Sequence, residues 1–158
     1  LRFFTVYGPW GRPDMALFLF TKAILDEEPI QVFNDGKMIR DFTYIDDIVS
    51  GVKGAILNSS KVTESDNVKL KPSISSAPYR IFNLGNNQPV TLENFINAIE
   101  TSTGKKAIKE YLPMQPGDVK KTFANIDKAV ESLGFVPSTS IEEGVKKFVD
   151  WYIEYYER

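Results

Sequence analysis

Within residues 40–49 the spacing of apolar side chains changes period, and that junction restricts the chain to folds in which a strand feeds directly into a helix. Ile45, Ile48, Val49, Val52 and Ile56 fall at i, i+3, i+4, i+7 and i+11, one face of a helix expected over 45–57. Residues 37–43 just before them read as a short strand leaving the turn Asn34-Asp35-Gly36, a tripeptide that tolerates positive φ. Arg40 rides on that strand, and Asp46 and Asp47 fall in the first helical turn, where negative charge complements the helix dipole. A strand over 30–33 is expected to pair with the Arg40 strand as a hairpin through 34–37.

The same alternation of strand and helix continues on both sides. Residues 1–6 form a near-continuous apolar run, the pattern of a strand covered on both faces. Residues 7–14 hold two glycines and two prolines and read as a loop, placed where open α/β sheets bind ligands, with Asp14 available to cap a helix over 15–26. The acidic run 26–28 reads as a solvated turn. Residues 58–78 are polar and free of aromatics, the composition of a surface insertion. Beyond them come a strand over 79–84 and a helix capped by Thr91 and stopped by Gly104. A strand over 107–112, a breaker-rich loop over 113–118 and a short helix over 126–133 ended by Gly134 follow. The last helix opens on a capping box of Ser140 and Glu143 and carries Ile141, Val145, Phe148, Val149, Tyr152 and Tyr155 along one side.

Composition narrows the chemistry. The chain of 158 residues has neither cysteine nor histidine, which removes disulfides, thiolate metal sites, the commonest metal ligand and the commonest general base. Nineteen basic against twenty-one acidic residues leave a net charge of −2, contrary to a general nucleic-acid surface. No apolar run approaches the roughly 20 residues needed to span a bilayer, so neither membrane insertion nor a signal peptide is expected. Leu1 opens within strand-like sequence, which reads as a chain cut inside a fold, and strands 1–6 and 79–84 are then expected to be edges prone to pairing with another chain.

Two arginines adjoin turns or helix starts, Arg12 in the glycine-proline loop and Arg40 on the strand, and guanidinium forks suit phosphate or carboxylate oxygens. An arginine taken singly is more often a structural ion-pair member. No G-x-G-x-x-G opens a helix after a strand, so a complete dinucleotide site is absent from the sequence, and no Tyr-x-x-x-Lys pair is present.

The motifs Arg2-Phe3-Phe4-Thr5-Val6-Tyr7-Gly8-Pro9, Gly11-Arg12-Pro13-Asp14-Met15-Ala16, Arg40-Asp41-Phe42-Thr43-Tyr44-Ile45-Asp46-Asp47, Phe82-Asn83-Leu84-Gly85 and Pro116-Gly117-Asp118 occur in an informative order. Together they resemble the C-terminal half of an extended short-chain dehydrogenase/reductase, and more narrowly the UDP-glucuronate 4-epimerases of capsular and cell-wall polysaccharide synthesis. The resemblance implies an α/β fold: the C-terminal substrate-binding part of an extended Rossmann-type nucleotide-sugar epimerase, over 1–158. The NAD-binding half, with its catalytic Ser/Thr and Tyr-x-x-x-Lys, would lie upstream.

By that resemblance Phe4 lies beside the nicotinamide of NAD, Thr5 faces the sugar, and Arg12 closes the loop over the sugar or its carboxylate. Met15 and Ala16 bring backbone toward the diphosphate at a helix N-terminus. Gln31, Val32 and Phe33 hold uracil through backbone groups, Arg40 binds the diphosphate, and Asp118 takes ribose hydroxyls. Where many relatives have an arginine before Pro-Gly-Asp, this chain has Gln115, which hydrogen-bonds without charge and leaves the diphosphate to Arg40. The implied partners are a UDP-sugar substrate, the upstream half and a second copy in a homodimeric parent enzyme, and the implied location is the cytoplasm. A UDP-glucuronate decarboxylase, a dTDP-sugar 4,6-dehydratase or a non-catalytic nucleotide-sugar-binding module would share the clamp.

Overall fold

A computed structural model describes residues 1–59 and 78–158, so the polar stretch 58–78 lies almost wholly outside the described residues. Strands β1 (Arg2–Phe3) and β2 (Val6–Tyr7) lead through a loop to α1 (Ala16–Asp26). They are followed by β3 (Pro29–Phe33), a 3-10 turn (Asn34–Gly36), β4 (Ile39–Arg40), β5 (Thr43–Tyr44) and α2 (Ile45–Leu57). Then come β6 (Asn83–Leu84), β7 (Val90–Thr91), α3 (Leu92–Thr103), β8 (Ile108–Leu112), α4 (Asp127–Leu133) and α5 (Ile141–Tyr155).

Parallel pairing dominates, as expected where helices carry the chain between strands. β3 runs beside β8 from Pro29↔Ile108 to Phe33↔Leu112, β1 beside β6, and β2 beside β5. β4 alone of the named strands pairs antiparallel, with β7, at Ile39↔Thr91 and Arg40↔Val90. The expected hairpin between 30–33 and the Arg40 strand does not form. Asn34, Asp35 and Gly36 all adopt left-handed φ, of 51°, 50° and 73°. The chain closes a 3-10 turn there, with Lys37 N donating to Asn34 O at 2.9 Å, and β3 then takes β8 and β4 takes β7 as partners.

The apolar run 1–6 also behaves differently from expectation. It breaks into β1 and β2, each with its own partner, and residues 1–3 are exposed. The two stretches expected to be open edges meet each other along one side, Arg2↔Asn83 and Phe3↔Leu84.

Helix ends follow the local signals. Thr91 accepts a hydrogen bond from Asn94 N and Ser140 from Glu143 N, both at 3.2 Å, while Gly104 and Gly134 close α3 and α4 in the left-handed conformation. Asp14 does not cap α1: Met15 takes the N-cap position without a side-chain bond, because the Asp14 carboxylate is engaged by Arg12.

The main core joins α1, β3, α3 and α5 through Ile24, Val32, Phe95, Ile99, Val145 and Phe148. A smaller one packs α2 and α4 against β6 through Ile48, Leu84, Ala129 and Phe135. Glu100, on α3, is buried and accepts from Lys106 Nζ at 2.5 Å and Ala107 N at 3.0 Å, fixing the turn into β8. Burial alone would raise its carboxyl, but those two donors outweigh it and hold the group below its ordinary value of 4.5. A depressed folded value means the contribution is present above that range and lost on acidification. Thermal midpoints should therefore fall as pH drops below 4.5, and Glu100→Gln should lower the neutral-pH midpoint while flattening that acid limb.

Candidate functional site

Arg40 and Asp118, separated by 78 residues, meet through Nη2 and Oδ1 at 2.7 Å. Folding brings them together by backbone as well as by charge. Ile39 N donates to Lys120 O at 3.0 Å and Thr122 N to Ile39 O at 3.1 Å, so segment 118–122 lies along one edge of β4 while β7 occupies the other. Gln115 enters through its carbonyl, which accepts Asp118 N at 3.2 Å, and Gly117 makes the turn at φ 84°. The Gln115 residue is exposed.

Next to Arg40, Asp41 is fully buried and binds three backbone N–H groups: Asn86 N to Oδ1 at 3.0 Å, Asn87 N to Oδ2 at 3.2 Å and Ala124 N to Oδ2 at 2.8 Å. Gly85 is required here, since a Cβ at that position would collide with Ala124 and lie 2.8 Å from Asp41 Oδ2. Asp47 plays a similar part from α2, accepting Ser138 N at 3.2 Å and Thr139 N at 3.1 Å. Sequence reasoning placed Asp47 only in a helix dipole and gave Asp41 no role. The available signal was an acidic residue between Arg40 and the apolar Phe42 in a strand-like run, which demands buried donors.

The other expected residues form a second group around the loop after β2. A cavity of about 320 Å³ is lined there by Val6, Gly8, Arg12, Met15, Leu17 and Phe148, among others. Arg12 is exposed and forked onto Asp14, with Nε to Oδ1 at 3.0 Å and Nη2 to Oδ2 at 2.5 Å. Ala16 opens α1 directly behind Met15. Trp10 adopts φ 62°, a strained conformation for a bulky residue, and rests on Trp151 and Tyr155 at ring separations of 5.2 and 4.9 Å. At the root of the loop, burial and then the Asp47 charge push the Tyr7 phenol far above its ordinary range. It therefore stays protonated at neutral pH and donates to Ser140 O at 3.3 Å.

Phe4 and Thr5 are half-buried at the break between β1 and β2, with Phe4 N bonded to Leu84 O and Thr5 O accepting Thr43 N, both at 3.0 Å. Val32 is a core residue of β3, flanked by exposed Gln31 and half-buried Phe33. The expected residues thus gather as Arg40, Asp118 and Gln115 on one side and Arg12, Met15 and Ala16 on another. A groove of about 850 Å³ between the 86–90 loop, α3 and the start of α5 includes none of them. Among the described residues no group of three or more acidic side chains could hold a metal ion, and no helix is long and apolar enough to cross a membrane.

Residues 1–70, which carry Arg12, Arg40 and Asp41, match the model of the NAD dependent epimerase/dehydratase family. The chain resembles that family. Protein CapI of Staphylococcus aureus is 53% identical over 159 residues, covering 100% of this chain and 48% of the relative. A probable UDP-glucuronate 4-epimerase of Rhizobium meliloti is 48% identical, over 99% of this chain and 47% of the relative. Among solved structures, the UDP-glucuronic acid 4-epimerase of Bacillus cereus in complex with UDP-glucuronic acid and NAD superposes with a TM-score of 0.81 at 34% identity, covering 98% of this chain and 45% of that one. This epimerase-like chain therefore spans about half the length of the curated relatives it matches. Its architecture is that of Rossmann-type epimerases, α/β with parallel strand pairs.

Proposed function

We propose that this chain is the nucleotide-sugar grip of an NAD-dependent epimerase that interconverts UDP-glucuronate and UDP-galacturonate at C4, for capsular or cell-wall polysaccharide synthesis. The observation that carries the reading is the convergence of Arg40 and Asp118 at 2.7 Å, a cation for a diphosphate beside a carboxylate for sugar hydroxyls. Relatives named for UDP-glucuronate 4-epimerization support the choice of sugar.

Arg40, held from two sides, binds the pyrophosphate, and Asp118 accepts from the ribose. Gln31, Val32 and Phe33 present backbone to the uracil. Met15 and Ala16, at the start of α1, offer N–H groups to the phosphates, an arrangement suited to anions. Arg12, exposed on a loop directly after Gly11, exchanges Asp14 for the glucuronate carboxylate, and Thr5 adds a hydroxyl to the sugar contacts. Gripping the nucleotide end leaves the sugar free to present either face.

NAD, when bound, supplies the hydride chemistry at C4. Phe4 is the residue of this chain placed to pack against it, and no catalytic proton transfer is assigned here, since the sequence holds no Tyr-x-x-x-Lys. The chain by itself is expected to bind without turning over.

Calorimetric titration of the chain with UDP tests the grip: binding with a dissociation constant in the micromolar to millimolar range is expected, and no heat up to millimolar UDP would refute it.

A further inference from the structure

The Arg40 and Asp118 side chains remain 22% and 37% exposed, so solvent meets a cation already matched by its counter-charge. Their relative placement is fixed. Arg40 Nη1 donates to Ile39 O at 3.0 Å, Asp118 Oδ1 also accepts Val119 N at 2.8 Å, and backbone bonds join Ile39 to Lys120 and Thr122. Asp118 Oδ2 and the remaining guanidinium N–H groups are left to face a ligand.

We infer that Asp118 is a specificity-determining residue that masks Arg40 against anions offering charge alone and admits ligands offering a phosphate and hydroxyl donors together. The inference rests on the UDP-sugar reading and adds to it the rejection of bare phosphates. An inorganic anion approaching Arg40 comes within a few ångströms of the Asp118 carboxylate, and like charges at that distance repel. A ribonucleoside diphosphate meets the same repulsion but offsets it, because its ribose hydroxyls donate to Oδ2. Discrimination then comes from an element that disfavours the wrong ligand, not only from one that favours the right one.

The sign of the effect separates this role from a structural one. Neutralising Asp118 should strengthen the binding of a bare anion, whereas a residue that merely props up the site would weaken every ligand when lost. The full chain and Asp118→Asn are titrated calorimetrically with inorganic pyrophosphate and with UDP at one ionic strength. Asp118→Asn should bind pyrophosphate about fivefold more tightly than the unaltered chain, and the preference for UDP over pyrophosphate should fall about tenfold or more. Asp118→Ala is carried in parallel, because an asparagine amide retains some capacity to accept from hydroxyls, and it should show the same rise for pyrophosphate with a larger loss for UDP.

Pyrophosphate affinity equal to or below that of the unaltered chain in both variants overturns the inference while leaving the grip intact. If the unaltered chain binds neither ligand, the grip itself fails and the inference with it.

Discussion

Replacing Asp41 with alanine should destabilise the chain by at least about 3 kcal/mol, because three buried N–H groups lose their acceptor together. On a domain of this size that lowers the thermal midpoint by roughly 10 °C. The fall is measurable by circular dichroism or calorimetry. Asp41→Asn should cost less, about 2 kcal/mol, since its remaining carbonyl can take the place of Oδ2 and keep Asn87 and Ala124 while losing Asn86. A midpoint for Asp41→Ala within about 2 °C of the unaltered chain would show that water replaces the carboxylate and that the staple is unimportant. The effect reaches the site as well as the core. Asp41 ties the end of β4 to Ala124, the far end of the segment that carries Asp118, so UDP affinity should fall with stability.

Arg40→Gln should have the opposite profile, with UDP affinity falling about thirtyfold or more and stability barely changing. A charge-assisted contact to a phosphate is worth about 2 kcal/mol, which is more than tenfold in binding. The ion pair it forms with Asp118 is half-exposed, a class that contributes about 1 kcal/mol or less to stability. Arg40→Lys should fall between, retaining charge but not the fork. Arg12→Gln provides the contrast. It should leave UDP affinity unchanged and weaken only ligands with a sugar carboxylate, because the proposed grip sets it against the sugar and not the nucleotide. Equal UDP binding by Arg40→Gln and the unaltered chain would remove Arg40 from the diphosphate site.

What was legible in the sequence was mostly what a few consecutive residues decide. The Thr91 and Ser140 caps and the Gly104 and Gly134 stops were readable because each depends on groups within one turn, and the span of α2 because an apolar period repeats along it. Pairing partners were not, since β3 finds β8 some 79 residues away along the chain, a distance at which no local signal operates. The hairpin expectation at 34–37 failed for a related reason: Asn34-Asp35-Gly36 permits left-handed turns but does not select which strand follows. Asp14 offered an oxygen to the start of α1, and Arg12 two residues earlier took it by charge. Arg40 stood out by its place between a turn and a helix start, whereas its diphosphate role and Asp118 emerged from a family likeness; their contact required the fold. Asp41, which gathers the amides of Asn86, Asn87 and Ala124, passed unremarked because a lone acidic residue in a strand-like run looks solvated until those amides are in place.

Trp10 and Trp151 are the two indoles of the entire chain, and they lie face to tilted face at 5.2 Å across the gap between the Arg12 loop and α5. Tryptophan emission from this protein, selectively excited near the red edge of the indole band, therefore originates in one place. Any ligand that draws the loop off the C-terminal helix changes the colour and quenching of that light, so the chain carries its own optical gauge of loop position without an attached dye.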